Sequence, residues 1–336
     1  MMSRKTSFIN FEAIYLDGVK MAKPVIQVMD SLGFNRGGLT KAVFKRLQLL
    51  SEENEVYLLT VAYQPTIKEI FEKLQESGDI PKKVKLLNFF EDFKKIAPPI
   101  GDEKAQEFNE IFTEDNLFTV REKSGRNSLF RYYQEGMFLG LKVEDPQGRP
   151  QYLEHHDKER PWVRKNRFTY WRDGSPSRCE YYDDNGKVRY RIYFNENKMP
   201  YLSSWVTENG YEYRCLTLKD GSPFLHKDLR WVNSYWLERK LQEIGAGVIY
   251  TDEPRTSFAL YVSHPNYRIV TSIHTTHLDP DVREGSKLKA WVSHYQETLD
   301  NTDMTVFLLS NREKNTFLIL LKRKKRQSLF RMLLQH

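Results

Sequence analysis

Two hydrophobic periods take turns along this chain. Residues 24–30 (PVIQVMD) are a short apolar run with β-branched members and a turn behind it, which predicts a buried strand. Residues 37–51 follow the helical period instead: Leu39, Val43, Leu47 and Leu50 share one face, while Lys41, Lys45, Arg46 and Gln48 fall elsewhere. Residues 55–63 (EVYLLTVAY) read as a second strand. A second helix over 65–77 has Pro65 near its first turn and Gly78 at its end. A third strand is predicted at 83–87.

From about 113 to 218 the helical period is lost. Val188, Tyr190, Ile192 and Phe194 face one way, and Arg189, Arg191 and Tyr193 the other. That period of two predicts an antiparallel sheet with one wet face. Turn signals recur every twelve residues, at Asp173-Gly174, Asn185-Gly186, Asn197-Lys198 and Asn209-Gly210. Tyr170, Tyr182 and Phe194 stand three residues ahead of the first three. Asx-Gly pairs favour the positive-φ turns that match strand twist, so the segment predicts a meander of hairpins built on a short repeat. Gln147-Gly148 and Asp220-Gly221 look like members out of register.

Strand–helix alternation returns after Leu225. Residues 225–244 predict a helix with Leu229, Val232, Leu237 and Leu241 on its buried face and Gly245 at its end. Strands are predicted at 248–251, 267–273 (YRIVTSI) and 304–309 (MTVFLL), and Leu288, Val292, Tyr295 and Leu299 mark a helix. Two βα segments around an all-β block predict one doubly wound domain interrupted by an insert. Three consecutive domains is the alternative, and the flanking pieces look small for separate cores.

Composition narrows the class. The 336 residues are 40% hydrophobic and 29% charged, which fits a globular chain. No apolar run approaches the ~20 residues that span a bilayer. The first ten residues are basic but lack the apolar core of a signal peptide, so the expected location is the cytoplasm. Cys179 and Cys215 lie far apart without a metal-ligand pattern, so neither a disulfide framework nor a zinc site is expected. A net charge of +7 suits an anionic partner: nucleic acid, a membrane surface or a phosphate-rich polymer. Much of the excess sits in Lys322 to Arg326 (KRKKR), a run that is usually a solvated face or tail.

Three segments carry candidate chemistry. Asn35-Arg36-Gly37-Gly38-Leu39-Thr40 joins the first strand to the first helix. Its glycines permit close backbone approach, and a helix N-terminus offers free N–H groups, which suits a phosphate or diphosphate. A tight strand-to-helix turn explains the same residues. The pattern is neither G-x-G-x-x-G nor a P-loop, which disfavours an ordinary dehydrogenase or NTPase. His274 and His277 (IHTTH) follow the strand 267–273, where a histidine can orient a hydroxyl or act as a base. A satisfied loop histidine is the plainer reading of His277. Asp252 and Glu253 follow the strand 248–251, where carboxylates bind acceptor hydroxyls or cap the next helix. All three segments fall on one edge of one inferred sheet.

VIQVMDSLGFNRGGLTKAVFKRLQLL resembles the N-terminus of retaining glycosyltransferases of the GT-B fold. The nearer resemblance is to the teichoic acid group, the poly(glycerol-phosphate) and poly(ribitol-phosphate) glycosyltransferases. YQPTIKEIFEKLQESGDIPKKVKLLNFFEDFKK is similar to the segment that follows there, and YYDDNGKVRYRIYFNENKMPYLS to part of the group's β insert. TSIHTTHLD resembles its histidine loop, and TDMTVFLLSNREK the start of its interdomain region. The resemblance covers roughly 24–315. It implies an α/β fold: a Rossmann-like domain (24–112 and 221–318), the first half of a GT-B fold, interrupted by an antiparallel β-meander insert (113–220). A basic tail, 319–336, matches nothing in the group.

The activity implied is transfer of a sugar from a UDP-sugar to a polyol-phosphate (teichoic acid) hydroxyl, with retention and without a metal or other cofactor. Gly37, Gly38 and Leu39 would bind the donor diphosphate. His274 would be catalytic, beside the transferred sugar, with Asp252, His277 and Arg36 on the acceptor and sugar rim. The group's second Rossmann-like domain, with its E-x7-E glutamate pair, has no counterpart here. The expectation is therefore a chain inactive alone. The expected partners are UDP-sugar, polyol-phosphate polymer and further copies of the chain through the insert, with proximity to the inner membrane face and no nucleic acid. The alternatives are a non-catalytic teichoic-acid-binding or oligomerisation module with a separately encoded partner, and a nucleic-acid binder using KRKKR and the aromatic sheet.

Overall fold

The computed structural model describes residues 14–16, 19–21, 24–34, 37–101, 117–245, 247–252, 267–273, 278–279, 287–288 and 304–308. After a small hairpin of β1 (Ile14–Leu16) and β2 (Val19–Met21), the chain runs β3 (Val25–Met29), α1 (Gly38–Leu50), β4 (Val56–Thr60), α2 (Ile67–Glu76), β5 (Lys85–Asn88) and α3 (Phe89–Ile96). Ten hairpin-linked strands follow. They are β6 (Phe118–Ser124), β7 (Asn127–Gln134), β8 (Met137–Glu144), β9 (Pro150–His156) and β10 (Arg164–Tyr170). After them come β11 (Pro176–Tyr182), β12 (Val188–Phe194), β13 (Pro200–Val206), β14 (Glu212–Lys219) and β15 (Ser222–Asp228). The chain then gives α4 (Leu229–Ile244), β16 (Gly247–Thr251), β17 (Tyr267–Ile273), the short β18 (Leu278–Asp279) and β19 (Lys287–Leu288), and β20 (Met304–Leu308).

The α/β part is a six-stranded sheet ordered β20-β17-β16-β3-β4-β5, parallel throughout. Its strands are short apolar runs because both faces are covered. On one face Val25, Met29, Leu58 and Val248 meet α1 (Val43, Phe44, Leu47) and α2 (Ile67, Phe71, Leu74). On the other, Ile26, Val28, Leu59 and Ile249 meet α3 (Phe89, Phe90, Phe93) and α4 (Val232, Trp236, Leu237, Leu241). From β3 the chain builds outward to β4 and β5, and from β16 to β17 and β20. The strand order therefore reverses between β3 and β16, the place where open α/β sheets bind ligands.

The meander forms a single ten-stranded sheet in sequence order. The twelve-residue spacing is explained by one turn design. The Asp183 and Asn195 carboxyl or amide oxygens each accept two backbone N–H bonds, from Asn185 and Lys187 and from Asn197 and Met199. The fourth turn position then takes a positive φ, at Gly174, Gly186 and Gly210, and at Lys198, which adopts 61° without being glycine. Asp145 and Gly148 build the same turn outside the register.

Three expectations need correcting. The helix predicted from 225 begins at Leu229, because residues 222–228 pair with β14 and the Asp228 carboxylate caps α4 through the Arg230 and Trp231 N–H groups. The sheet therefore runs past the expected boundary at 220. Leu288, expected in a helix, lies in β19 opposite Leu278, and 289–300 fall outside the described residues. Tyr193, assigned to a wet face, is 1% exposed. That face is covered centrally by the α/β part, where Tyr193 packs on Phe90 and Tyr63. Further along the same face, Glu154, Arg167, Glu180 and Arg191 oppose one another in alternating sign across four strands.

Candidate functional site

The carboxyl edge of the parallel sheet is assembled by adjacent strands. The exit of β3 is pinned first: the Asp30 carbonyl accepts from Val61 N–H (3.1 Å) and Ala62 N–H (2.7 Å). Gln64 then brackets Leu32 reciprocally, accepting from its N–H and donating to its carbonyl, both at 2.9 Å. Leu32 is 1% exposed. Downstream, Gly37 is the N-cap of α1, with ordinary extended backbone (φ −70°, ψ −171°) and no side-chain cap. Among the described residues, a Cβ at Gly37 or Gly38 would meet nothing within 4 Å. Leu39 is half-buried beside them.

The other helices of this protein manage their first turns differently. Asn88 caps α3 through Glu91 N–H, and Glu91 and Asp92 lie in its first turn. Asp228 caps α4, and α2 has Glu69 in its first turn. Among the described residues α1 is the one helix with neither a capping side chain nor an acidic residue there. Its N–H groups and positive dipole end are left for another acceptor.

Asp252 follows β16, next to β3, and is 6% exposed. Its carboxylate does not stand open to a hydroxyl. Arg46 of α1 grips it in two bonds, Nη1 to Oδ2 at 2.6 Å and Nη2 to Oδ1 at 3.0 Å. Gln27, fully buried in β3, donates to Oδ2 at 2.8 Å and accepts from Arg46 at 2.8 Å. The Arg46 guanidinium also lies 5.5 Å from the Tyr250 ring centre. Burial with this hydrogen-bonded pairing is what a structural ion pair needs. The group ties α1 to the switch between β3 and β16. Sequence reading missed Arg46 and Gln27 because their partner is about two hundred residues away; the polar Gln27 inside VIQVM was the available signal.

Arg36, His274 and His277 lie outside the described residues. Ile273 ends β17, which borders β16.

Beside this edge a cleft of about 400 Å³ opens between the start of α2 and the turns of the large sheet, lined by Thr66, Glu69, Arg149, Gln151, Trp171 and Arg172. Arg172 pairs with Glu69 at 3.2 Å across it. On the far face of the large sheet, Tyr181, Tyr190, Trp205 and Tyr213 stand opposite one another on successive strands. Arg214, at φ 48°, makes the bulge that keeps Tyr213 in this row. Trp205 is 48% exposed.

No protein-family model matches the chain. Among solved structures, that of TarM superimposes with a TM-score of 0.71 at 19% identity, over 88% of this chain and 58% of TarM. The fold is that of the first half of a GT-B fold carrying a β insert. A structure of an S. aureus TarM variant in complex with fondaparinux, alpha-GlcNAc-glycerol and UDP shares this GT-B half with a TM-score of 0.70 at 20% identity, over 88% of this chain and 59% of that one. The pneumococcal O-GlcNAc transferase GtfA, solved with UDP and GlcNAc, gives 0.55 at 12%, over 91% of this chain and 58% of that one. In sequence, the chain is 21% identical over 275 residues to the poly(ribitol-phosphate) alpha-N-acetylglucosaminyltransferase of Staphylococcus aureus (strain COL), which takes in 76% of this chain and 51% of that protein. The chain thus spans about half the length of this curated relative. Among the described residues no helix is long and apolar enough to cross a membrane.

Proposed function

We propose that this chain is the acceptor-side part of a retaining glycosyltransferase that moves a sugar from a UDP-sugar to a hydroxyl of a polyol-phosphate polymer. The observation that carries the reading is the start of α1 at the β3/β16 switch: two glycines with, among the described residues, nothing within 4 Å of an added Cβ, no side-chain cap and no acidic residue in the first turn. The leaving UDP gathers negative charge as the glycosidic bond breaks, and N–H groups fixed at a helix end stabilise it without reorganising. In this reading Gly37, Gly38 and Leu39 approach the donor diphosphate. His274 stands beside the transferred sugar, and Arg36 and His277 line the rim. Asp252 serves that rim through Arg46, by holding α1 in place. The ligands bound in the TarM variant, UDP and alpha-GlcNAc-glycerol, fit the same donor and acceptor classes. The exposed Trp205 and Tyr213 in the insert's aromatic row support association of further copies through that sheet.

The test is transfer from a panel of UDP-sugars to polyol-phosphate polymer, run with the 336-residue chain alone and again with the remaining half of the S. aureus relative added. Transfer in the second arm, lost in His274→Ala, is the expected result. Polymer retention without transfer in either arm would favour a non-catalytic binding module instead. Absence of UDP binding in both arms removes the donor-site reading.

A further inference from the structure

The β4–α2 connection, residues 61–66, lies between two parts of the molecule, the exit of β3 and the inserted sheet. Its backbone and one side chain face β3. Val61 and Ala62 N–H donate to Asp30, and Gln64 brackets Leu32 on both sides. The side chain between them faces the insert. Tyr63 hydrogen-bonds through its hydroxyl to Ser177, which is fully buried in β11. The Arg178 guanidinium sits 4.0 Å from the Tyr63 ring centre. Phe90, Tyr193 and Trp171 surround the ring with centroids at 5.4, 5.7 and 6.1 Å. Adjacent residues of one chain therefore hold the insert on one side and the loop leading to Gly37 on the other.

We infer that Tyr63 and Gln64 act as a lever: Gln64 is a positioning residue for the glycine loop, and the seating of Tyr63 in the insert sets where Gln64 holds Leu32. The inference rests on the reading of that loop as the donor-phosphate site, but the coupling itself does not depend on it. Three features make the lever physical. Leu32 is bracketed at both its N–H and its carbonyl, so its peptide planes cannot rotate without breaking bonds to one amide group. Tyr63 is fixed by a hydrogen bond, a cation–π contact and three ring contacts, so it has little freedom of its own. The connection between them is a single peptide unit, which is planar and stiff. A change in how the insert sits, on taking up polymer or a second copy, therefore reaches the loop through two residues.

The experiment is backbone amide exchange with mass spectrometry on the full chain, reading peptides over 30–44, together with UDP titration followed by NMR. Gln64→Ala should speed exchange in 30–44 by about tenfold, since two hydrogen bonds are lost, and should weaken UDP binding severalfold. Gln64→Glu keeps the acceptor for Leu32 N–H and should lie between. Tyr63→Ala has no side-chain bond to Leu32, yet should raise exchange in 30–44 as well. Should Tyr63→Ala fold poorly, Tyr63→Phe and Ser177→Ala each remove the hydroxyl bond with the ring or its socket intact, and a smaller rise in 30–44 is expected from both. Exchange in 30–44 that stays at the wild-type rate in folded Tyr63 and Ser177 variants overturns the lever. Wild-type chain that ignores UDP, both alone and with the remaining half of the S. aureus relative added, while the exchange pattern holds would remove the donor-site reading and leave the lever standing.

Discussion

Arg46 closes a two-bond ion pair on Asp252, joining the first helix of the chain to the strand end 206 positions later. The carboxylate side chain is 2% exposed and the guanidinium 21%. Taking one partner away leaves the other charge buried, which typically costs about 3–5 kcal/mol. Arg46→Met is therefore expected to lower stability by an amount of that order, measured by urea unfolding at neutral pH. The double variant Arg46→Met/Asp252→Leu should recover a large part of it, because no orphan charge remains. If Asp252 served an acceptor hydroxyl instead, Asp252→Asn would leave unfolding unchanged and reduce only transfer.

Gly247 opens β16 where that strand crosses closest to the entry of β3. A Cβ there would lie 2.0 Å from the Pro24 carbonyl oxygen and 3.3 Å from the Tyr267 ring. The obstructing atom is backbone and is itself bonded, since Val248 N–H donates to that same oxygen at 3.1 Å. Relief would require the two central strands to part. Gly247→Ala is expected to cost about 3 kcal/mol or more, or to block folding, and thermal unfolding followed by circular dichroism reads it. A variant melting with the wild type would show that β16 can slide without penalty.

The parallel strands were legible because burial on both faces makes each a short apolar run, and the meander because its turns repeat. What sequence could not show was long-range partnership. Arg46 looked like a solvated residue off the apolar stripe of α1, and Tyr63 like the end of a strand. Each is decided by a partner more than a hundred positions away, Asp252 and Ser177. Tyr193 was placed on a wet face because alternation says which side a residue takes, not what covers that side. The start of α4 was misplaced for a local reason. SPFLHKD carries enough apolar character to join the helical stripe, and only the pairing with β14 shows it as strand. In the candidate site the glycine pair was visible from its position after a strand, whereas its support by Gln64 was not.

His226 gives the stability a pH dependence. Its ring is 7% exposed on β15, with Nε2 3.0 Å from the Thr217 hydroxyl and Phe224 packed edge-on at 4.6 Å. Burial first, and the nearby Lys219 charge second, lower its pKa from 6.5 to about 4. The unfolded chain thus binds the proton more readily, and between those values it carries more protons than the folded one. Stability from this group is complete above pH 6.5 and is lost as pH falls toward 4, by on the order of 3 kcal/mol. Urea unfolding of wild type and His226→Gln at both ends of that window checks it. The wild type should lose more stability on acidification than the variant, and parallel losses would exclude His226 as the source.

Gly38 separates folding from ligand binding. It is the first residue of α1, and no described residue lies within 4 Å of where its Cβ would stand, so neither packing among the described residues nor a positive φ asks for glycine there. For the fold alone, alanine is the better residue, because glycine loses more backbone entropy in a helix; Gly38→Ala should raise stability by up to about 1 kcal/mol. For a diphosphate drawn up to the helix N–H groups, an added methyl stands where the oxygens must come. The same substitution should therefore weaken UDP binding by about tenfold or more, equivalent to about 1.4 kcal/mol. Urea unfolding and UDP titration of one variant then move in opposite directions. A variant that gains stability and keeps its UDP affinity would show that the glycine pair serves no ligand, and the turn from β3 into α1 would need no further role than connecting them.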